Sequence, residues 1–213
     1  MNTITRALIA EFIGTFTLVF IGGIAVASGQ GVLVAALAHG FCIIYAAYSY
    51  GHLSGAHLNP AVTLGLLVGG KIAPVRAGLY IIAQFAAGIV AALAAQALVG
   101  STGQTTGSLT AGSVWTAAAF EAILTFTLVS VVYQAATFGK AGSFAGLGIG
   151  LTLAACILAG GTYTGASLNP ARTLGPALVG GDLSYVVPYF IGIFGGGVLG
   201  GLVQAYIIGD KTA

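Results

Sequence analysis

Apolar residues run through this chain in long blocks separated by short polar punctuation. A helix needs about 20 mostly apolar residues to cross a hydrocarbon layer. Six blocks approach or exceed that length, at roughly 5–27, 32–53, 76–99, 113–137, 143–160 and 184–208. Between them stand "SGQG" from Ser28, "GSTGQTTGSLTAGS" from Gly100 and "FGKAGS" from Phe138. Such glycine- and hydroxyl-rich runs favour turns over helices, so the Gly100 stretch is expected to be a loop. Two apolar stretches remain, at about 60–69 and 170–180. A helix of about 10 residues covers only ~15 Å at ~1.5 Å per residue, half of a ~30 Å hydrocarbon core. The pattern therefore predicts an all-α integral membrane fold: six transmembrane helices plus two re-entrant half-helices.

The two short stretches open on nearly the same words. "HLNPAVTLG" begins at His57 and "SLNPARTLG" at Ser167, 110 residues apart. Glu11 in "AEFIGTF" and Glu121 in "FEAILTF" keep the same offset, and residues 51–70 match 161–180 at 11 of 20 positions. This is a tandem duplication, a single domain over 1–213 with halves 1–105 and 106–213. Each half holds three crossings, an odd number, so the second half must lie inverted relative to the first. Inverted repeats place their site near the midplane, where broken helices meet.

That geometry gives the repeated residues a purpose. Pro60 and Pro170 suit a first helical turn, where no backbone donor is needed. Asn59 and Asn169 suit the N-cap, with the carboxamide NH₂ left to donate into a cavity. Ala61 and Ala171 follow as small residues. Two helix N-termini, each carrying about half a positive charge, then face one another. A neutral solute that forms hydrogen bonds passes such a point, and a cation is repelled.

Composition narrows the class. Of 213 residues 58% are hydrophobic and only 5% charged, where a soluble domain carries about 25% charged residues. A net charge of +2 gives no footing for nucleic acid. Cys42 and Cys156 lie inside apolar runs and read as buried side chains rather than a disulfide or metal site. His39, His52 and His57 do not match a zinc pattern on one helix face. No nucleophile–base pair, metal cluster or phosphate loop is evident, so no enzyme and no cofactor is expected. No cleavable leader is evident either: the first block follows Arg6 directly and keeps Glu11. With both termini cytoplasmic, the inner segments hold Arg6, Lys71, Arg76, Lys140 and Lys211, five of the six basic residues. The sixth, Arg172, sits among apolar neighbours, where a charge costs at least ~2.5 kcal/mol. It reads either as a side chain snorkelling to the outer surface or, as a buried group, as a donor to permeants and a positive barrier to protons and cations.

"GHLSGAHLNPAVTLG" and "GASLNPARTLGPA" resemble the aquaporins, the major intrinsic protein family, and the resemblance covers all six helices and both half-helices. It implies a right-handed bundle with a pore through each protomer and a homotetramer. It also implies a plasma-membrane channel passing water and small neutral solutes such as ammonia while excluding protons and ions. Four positions are implied at the selectivity filter: His39, Ile157, Ala166 and Arg172. Taken alone, His39 also reads as a buried helix histidine. The set resembles that of plant tonoplast intrinsic proteins and departs from strict water channels, which carry phenylalanine and histidine where this chain has His39 and Ile157. A slightly wider or less water-selective filter follows. Thr173, Ala177, Tyr189 and Phe190 depart from the glycerol branch, which leaves a glycerol or urea facilitator as the alternative. Glu11, Glu121 and His57 are implied to support the loops; either carboxylate alone would also suit a proton relay. A coupled transporter, which would usually need carboxylates or exposed carbonyls to bind a coupling ion at the midplane, is disfavoured because the midplane offers amides and both carboxylates have structural roles. Mercury, which acts in many relatives at the position of Ala166, is expected to inhibit weakly, Cys156 beside Ile157 being the main risk.

Overall fold

The computed structural model describes residues 3–209, all helical or irregular. Lys211 lies outside the described residues. Six helical segments are long and apolar enough to cross a membrane: α1 (Thr3–Ala27), α2 (Val32–Ser54), α4 (Pro74–Val99), α6 (Val114–Val131), α7 (Ala145–Thr164) and α9 (Val186–Leu202). Two of these gain length from irregular ends. α6 and α9 continue as π-helical turns, Val132–Thr137 and Val203–Ile207. A short 3₁₀ turn, Gly142–Phe144, precedes α7.

Two short helices, α3 (Pro60–Val68) and α8 (Pro170–Gly180), occupy the expected half-length stretches. Proline fills the first position of each, and the preceding asparagine accepts hydrogen bonds from first-turn amides. Each packs on a full-length helix, α3 on α9 and α8 on α4. The backbones nearly touch there: a methyl on Gly197 would lie 2.7 Å from the Ala61 carbonyl, and one on Gly88 2.5 Å from that of Ala171. Glycine lets membrane helices approach this closely, and dispersion contacts hold them.

The far end of α3 is fastened by two tyrosines. Tyr133 Oη donates to Gly65 O (3.0 Å) and Tyr206 Oη to Val68 O (3.1 Å). Both residues lie in the π-helical turns, which Gln134 Nε2 and Gln204 Oε1 join at 2.7 Å. Val68 O lies in the last turn, where a helix leaves carbonyls unpaired, and Gly65 O takes the Tyr133 bond beside its own from Gly69 N (3.2 Å).

Two sequence expectations shift. The stretch from Gly100 is not wholly a loop: Ser108–Gly112 forms a five-residue helix, α5. Thr110 Oγ1 accepts from Gly107 N at 3.0 Å, which starts the turn that composition alone argued against. α7 also runs to Thr164 rather than ending near 160, because "GGTYT" stays helical until Gly165 adopts the left-handed conformation (φ 78°). Gly55 (φ 90°) ends α2 in the same way 110 residues earlier.

Candidate functional site

The loops entering α3 and α8 take a backbone shape that L-residues rarely adopt. Ala56, Leu58, Ala166 and Leu168 have φ of 48°, 53°, 42° and 54°. Each such residue costs of order 1–3 kcal/mol and persists only where its surroundings hold it. Two buried carboxylates do so. Glu11 Oε1 accepts from Ser54 Oγ (2.7 Å) and His57 N (2.9 Å), and its Oε2 from Leu58 N (2.7 Å) and Gln84 Nε2 (2.8 Å). Glu121 Oε1 accepts from Thr164 Oγ1 (2.6 Å) and Ser167 N (2.9 Å), and its Oε2 from Leu168 N (2.8 Å). Backbone at membrane depth that is not helical must be satisfied by protein, and a carboxylate answers several donors at once. His57 joins the first group through Nδ1, 3.1 Å from Thr63 Oγ1.

Held this way, the two loops touch tip to tip. Asn59 Nδ2 donates to Leu168 O at 2.8 Å, and Asn169 Nδ2 to Leu58 O at 2.9 Å. Each Oδ1 caps its own helix, at 2.8 Å from Ala61 N and 3.0 Å from Ala171 N. The sequence reading sent the whole NH₂ group toward a cavity. The structure engages one of its hydrogens with the opposite loop, which leaves one hydrogen per asparagine for a passing molecule. Both asparagines line the cavity described next.

That cavity, about 750 Å³, runs from the face carrying Tyr48, His52, Lys71 and Ser143 past Gly55, Ala56, His57 and both asparagines to His39 and Arg172. A second cavity, about 230 Å³, opens on the opposite face and is lined by Val32, Gln104, Thr106, Ile157 and Gly165. Among the described residues Arg172 alone lines both. The two spaces therefore abut at Arg172, which is 3% exposed. Its Nε donates to His39 Nε2 at 2.7 Å and its Nη1 to Gly165 O at 3.4 Å. Midplane amides and one arginine thus supply hydrogen-bond donors to these two spaces.

Residues 1–204 match the major intrinsic protein family. The chain belongs to that family. It is 39% identical to aquaporin TIP1-1 of Zea mays, an alignment covering 97% of this chain and 88% of the relative. It is 42% identical to aquaporin TIP4-1 of Arabidopsis thaliana, over 97% and 87%. The X-ray structure of the aquaglyceroporin from Plasmodium falciparum superposes with a TM-score of 0.86 at 25% identity, covering 96% of this chain and 97% of that one. This aquaporin-family chain is thus a multi-pass integral membrane protein.

Within the aquaporin fold the expected filter residues are not equivalent. His39 reaches the larger cavity and Ile157 the smaller, while Ala166 is fully buried and lines neither. Ala166 sits in the strained loop beside Gly165, whose carbonyl takes the Arg172 bond. Four residues went unassigned to these particular roles in the sequence reading. Gln84 completes the Glu11 shell. Gly22 makes room for the His39 ring, which a methyl there would strike. Gln104 and Thr106 line the smaller cavity. For the last pair the signal was the long uncharged run itself, an unusual feature in a chain otherwise made of short connections.

Proposed function

We propose that the chain is a passive water channel that also admits ammonia and excludes protons and ions. The observation that carries this is the meeting of the two cavities at Arg172 just beyond the crossed asparagines. No carboxylate lines either cavity among the described residues, which removes one of the two usual ligands of a coupling ion, the other being exposed backbone carbonyls. The wider reading, a glycerol or urea facilitator, draws on the likeness to the Plasmodium falciparum aquaglyceroporin. Against it stand Thr173, Ala177, Tyr189 and Phe190, which depart from the glycerol branch, and the bond that ties His39 to Arg172.

In this reading Asn59, Pro60, Ala61, Asn169, Pro170 and Ala171 form the midplane station. His39, Ile157, Ala166 and Arg172 form the filter, with Ala166 acting through its loop. Glu11, Glu121 and His57 support the loops. One channel domain spans 1–213, with halves 1–105 and 106–213. The working unit is a homotetramer in the bilayer, which would cover part of an apolar rim that includes Leu33, Phe41 and Ile82. The face bearing Lys71, Arg76 and Lys140 is cytoplasmic, with both termini, by the positive-inside rule. The membrane proposed from the sequence is the plasma membrane. Likeness to tonoplast intrinsic proteins favours an internal membrane in a vacuolate cell, and microscopy of the tagged chain in its own cells separates the two.

Stopped-flow light scattering on proteoliposomes tests the function. Fast osmotic shrinkage, alkalinisation of the lumen by ammonium salts and slow glycerol entry are expected. Vesicles shrinking no faster than empty ones would overturn the channel reading, and glycerol flux rivalling water flux would favour the facilitator.

A further inference from the structure

We propose that Tyr189 is a positioning residue for the filter, tying the segment 107–110 to the backbone beside Arg172; this rests on the channel reading above. The Tyr189 side chain on α9 is fully buried, and its Oη donates to Thr164 O at 2.6 Å. A hydroxyl has one hydrogen, so the 2.7 Å contact with Thr110 Oγ1 runs the other way, with Thr110 donating. Thr110 Oγ1 in turn accepts from Gly107 N at 3.0 Å. The result is a one-directional chain from α5 to the last residue of α7.

Thr164 is the residue this chain fixes, and it is held on its other side as well. Its Oγ1 donates to Glu121 and accepts from Ala166 N at 3.1 Å. The next carbonyl, Gly165 O, is the one that receives Arg172 Nη1. Movement of Thr164 therefore moves the arginine's backbone partner. A methyl on Gly165 would lie 2.6 Å from Thr105 C, so the same loop also rests directly on the uncharged run.

The other half of the molecule repeats the device without a filter attached. Tyr80 Oη on α4 donates to Ser54 O at 2.9 Å and accepts from Arg76 Nε at 3.0 Å. Ser54 stands 110 residues before Thr164, and Val62 stands where the second half has Arg172. If the tyrosines served only to seat the loops, losing either hydroxyl would have like effects. If Tyr189 sets the filter, only its loss alters selectivity. A phenylalanine fills the space of either ring, so packing and positioning are separable.

The test compares urea and water permeability in proteoliposomes bearing the wild type, Tyr189→Phe, Thr110→Val, the double variant and Tyr80→Phe. Tyr189→Phe and Thr110→Val are expected to raise the urea-to-water ratio about fivefold, the equivalent of one net hydrogen bond. The double variant adds little to either, since both break one chain, and Tyr80→Phe keeps the wild-type ratio. A wild-type ratio in folded Tyr189→Phe, or an equal rise in Tyr80→Phe, overturns the proposal. Should Tyr189→Phe not purify as a folded assembly, Thr110→Val carries the same comparison from the surface end of the chain. Absence of fast water flow in the wild type would sink the channel reading itself, before any variant is compared.

Discussion

Arg172 and His39, 133 residues apart, share a 2.7 Å hydrogen bond between Nε and Nε2. A guanidinium has no acceptor, so the imidazole nitrogen accepts, and His39 Nδ1–H is left to donate to Ala35 O at 2.7 Å. Each side chain thus fixes the other, and the pair fixes the junction of the two cavities.

Substituting His39→Leu removes the acceptor and leaves a buried charged donor unpaired, a cost of about 1–3 kcal/mol or more. Arg172 is then expected to leave its seat, and urea permeability to rise relative to water. Gly22→Ala should act in the same direction, because the added methyl occupies the place of the imidazole ring. Stopped-flow measurement of both solutes decides the matter; wild-type urea exclusion in both variants would mean that Arg172 holds its place without His39.

Arg172→Val removes the residue common to both cavities. Larger neutral solutes, urea first, are expected to pass, and the barrier to cations to fall. Unchanged solute selectivity in reconstituted vesicles would remove Arg172 from the filter.

The two loop carboxylates should differ in their tolerance of amides. Each oxygen of Glu11 faces two donors, so Glu11→Gln turns an NH₂ group toward two of them whichever way it flips. Oε2 of Glu121 faces one donor, Leu168 N, and Glu121→Gln can place its NH₂ there. At about 1–3 kcal/mol per unsatisfied buried group, Glu11→Gln is expected to lower the melting temperature in detergent more than Glu121→Gln does. The reverse order would show that the donor count does not govern these sites.

Mercury should inhibit weakly. Cys42 and Cys156 are 5% and 4% exposed, line neither cavity, and point their Sγ atoms at Thr17 O (3.8 Å) and Leu124 O (3.9 Å). Water flux before and after mercuric chloride measures this, with Cys156→Ser as the second arm. Strong inhibition lost in that variant would place Cys156 within reach of the pore.

By itself the sequence determined the layout: six spans, two half-helices and their caps. These follow from local chemistry, since apolar length, proline at a first turn and asparagine before it act within a few residues of chain. The 110-residue offset also paired Glu11 with Glu121 and Asn59 with Asn169 before any coordinate. Tertiary structure alone decided what depends on groups far apart in the chain. The bond from Arg172 to His39, the crossed asparagine contacts and the service of Gln84 to Glu11 join residues 133, 109, 111 and 73 positions apart. No local propensity encodes such pairings; they exist because buried donors must find acceptors, and packing determines which ones lie within reach. α5 depends in part on such a contact too, since Thr110 meets Tyr189, 79 positions on, and only the packing shows that Ala166 lines neither cavity.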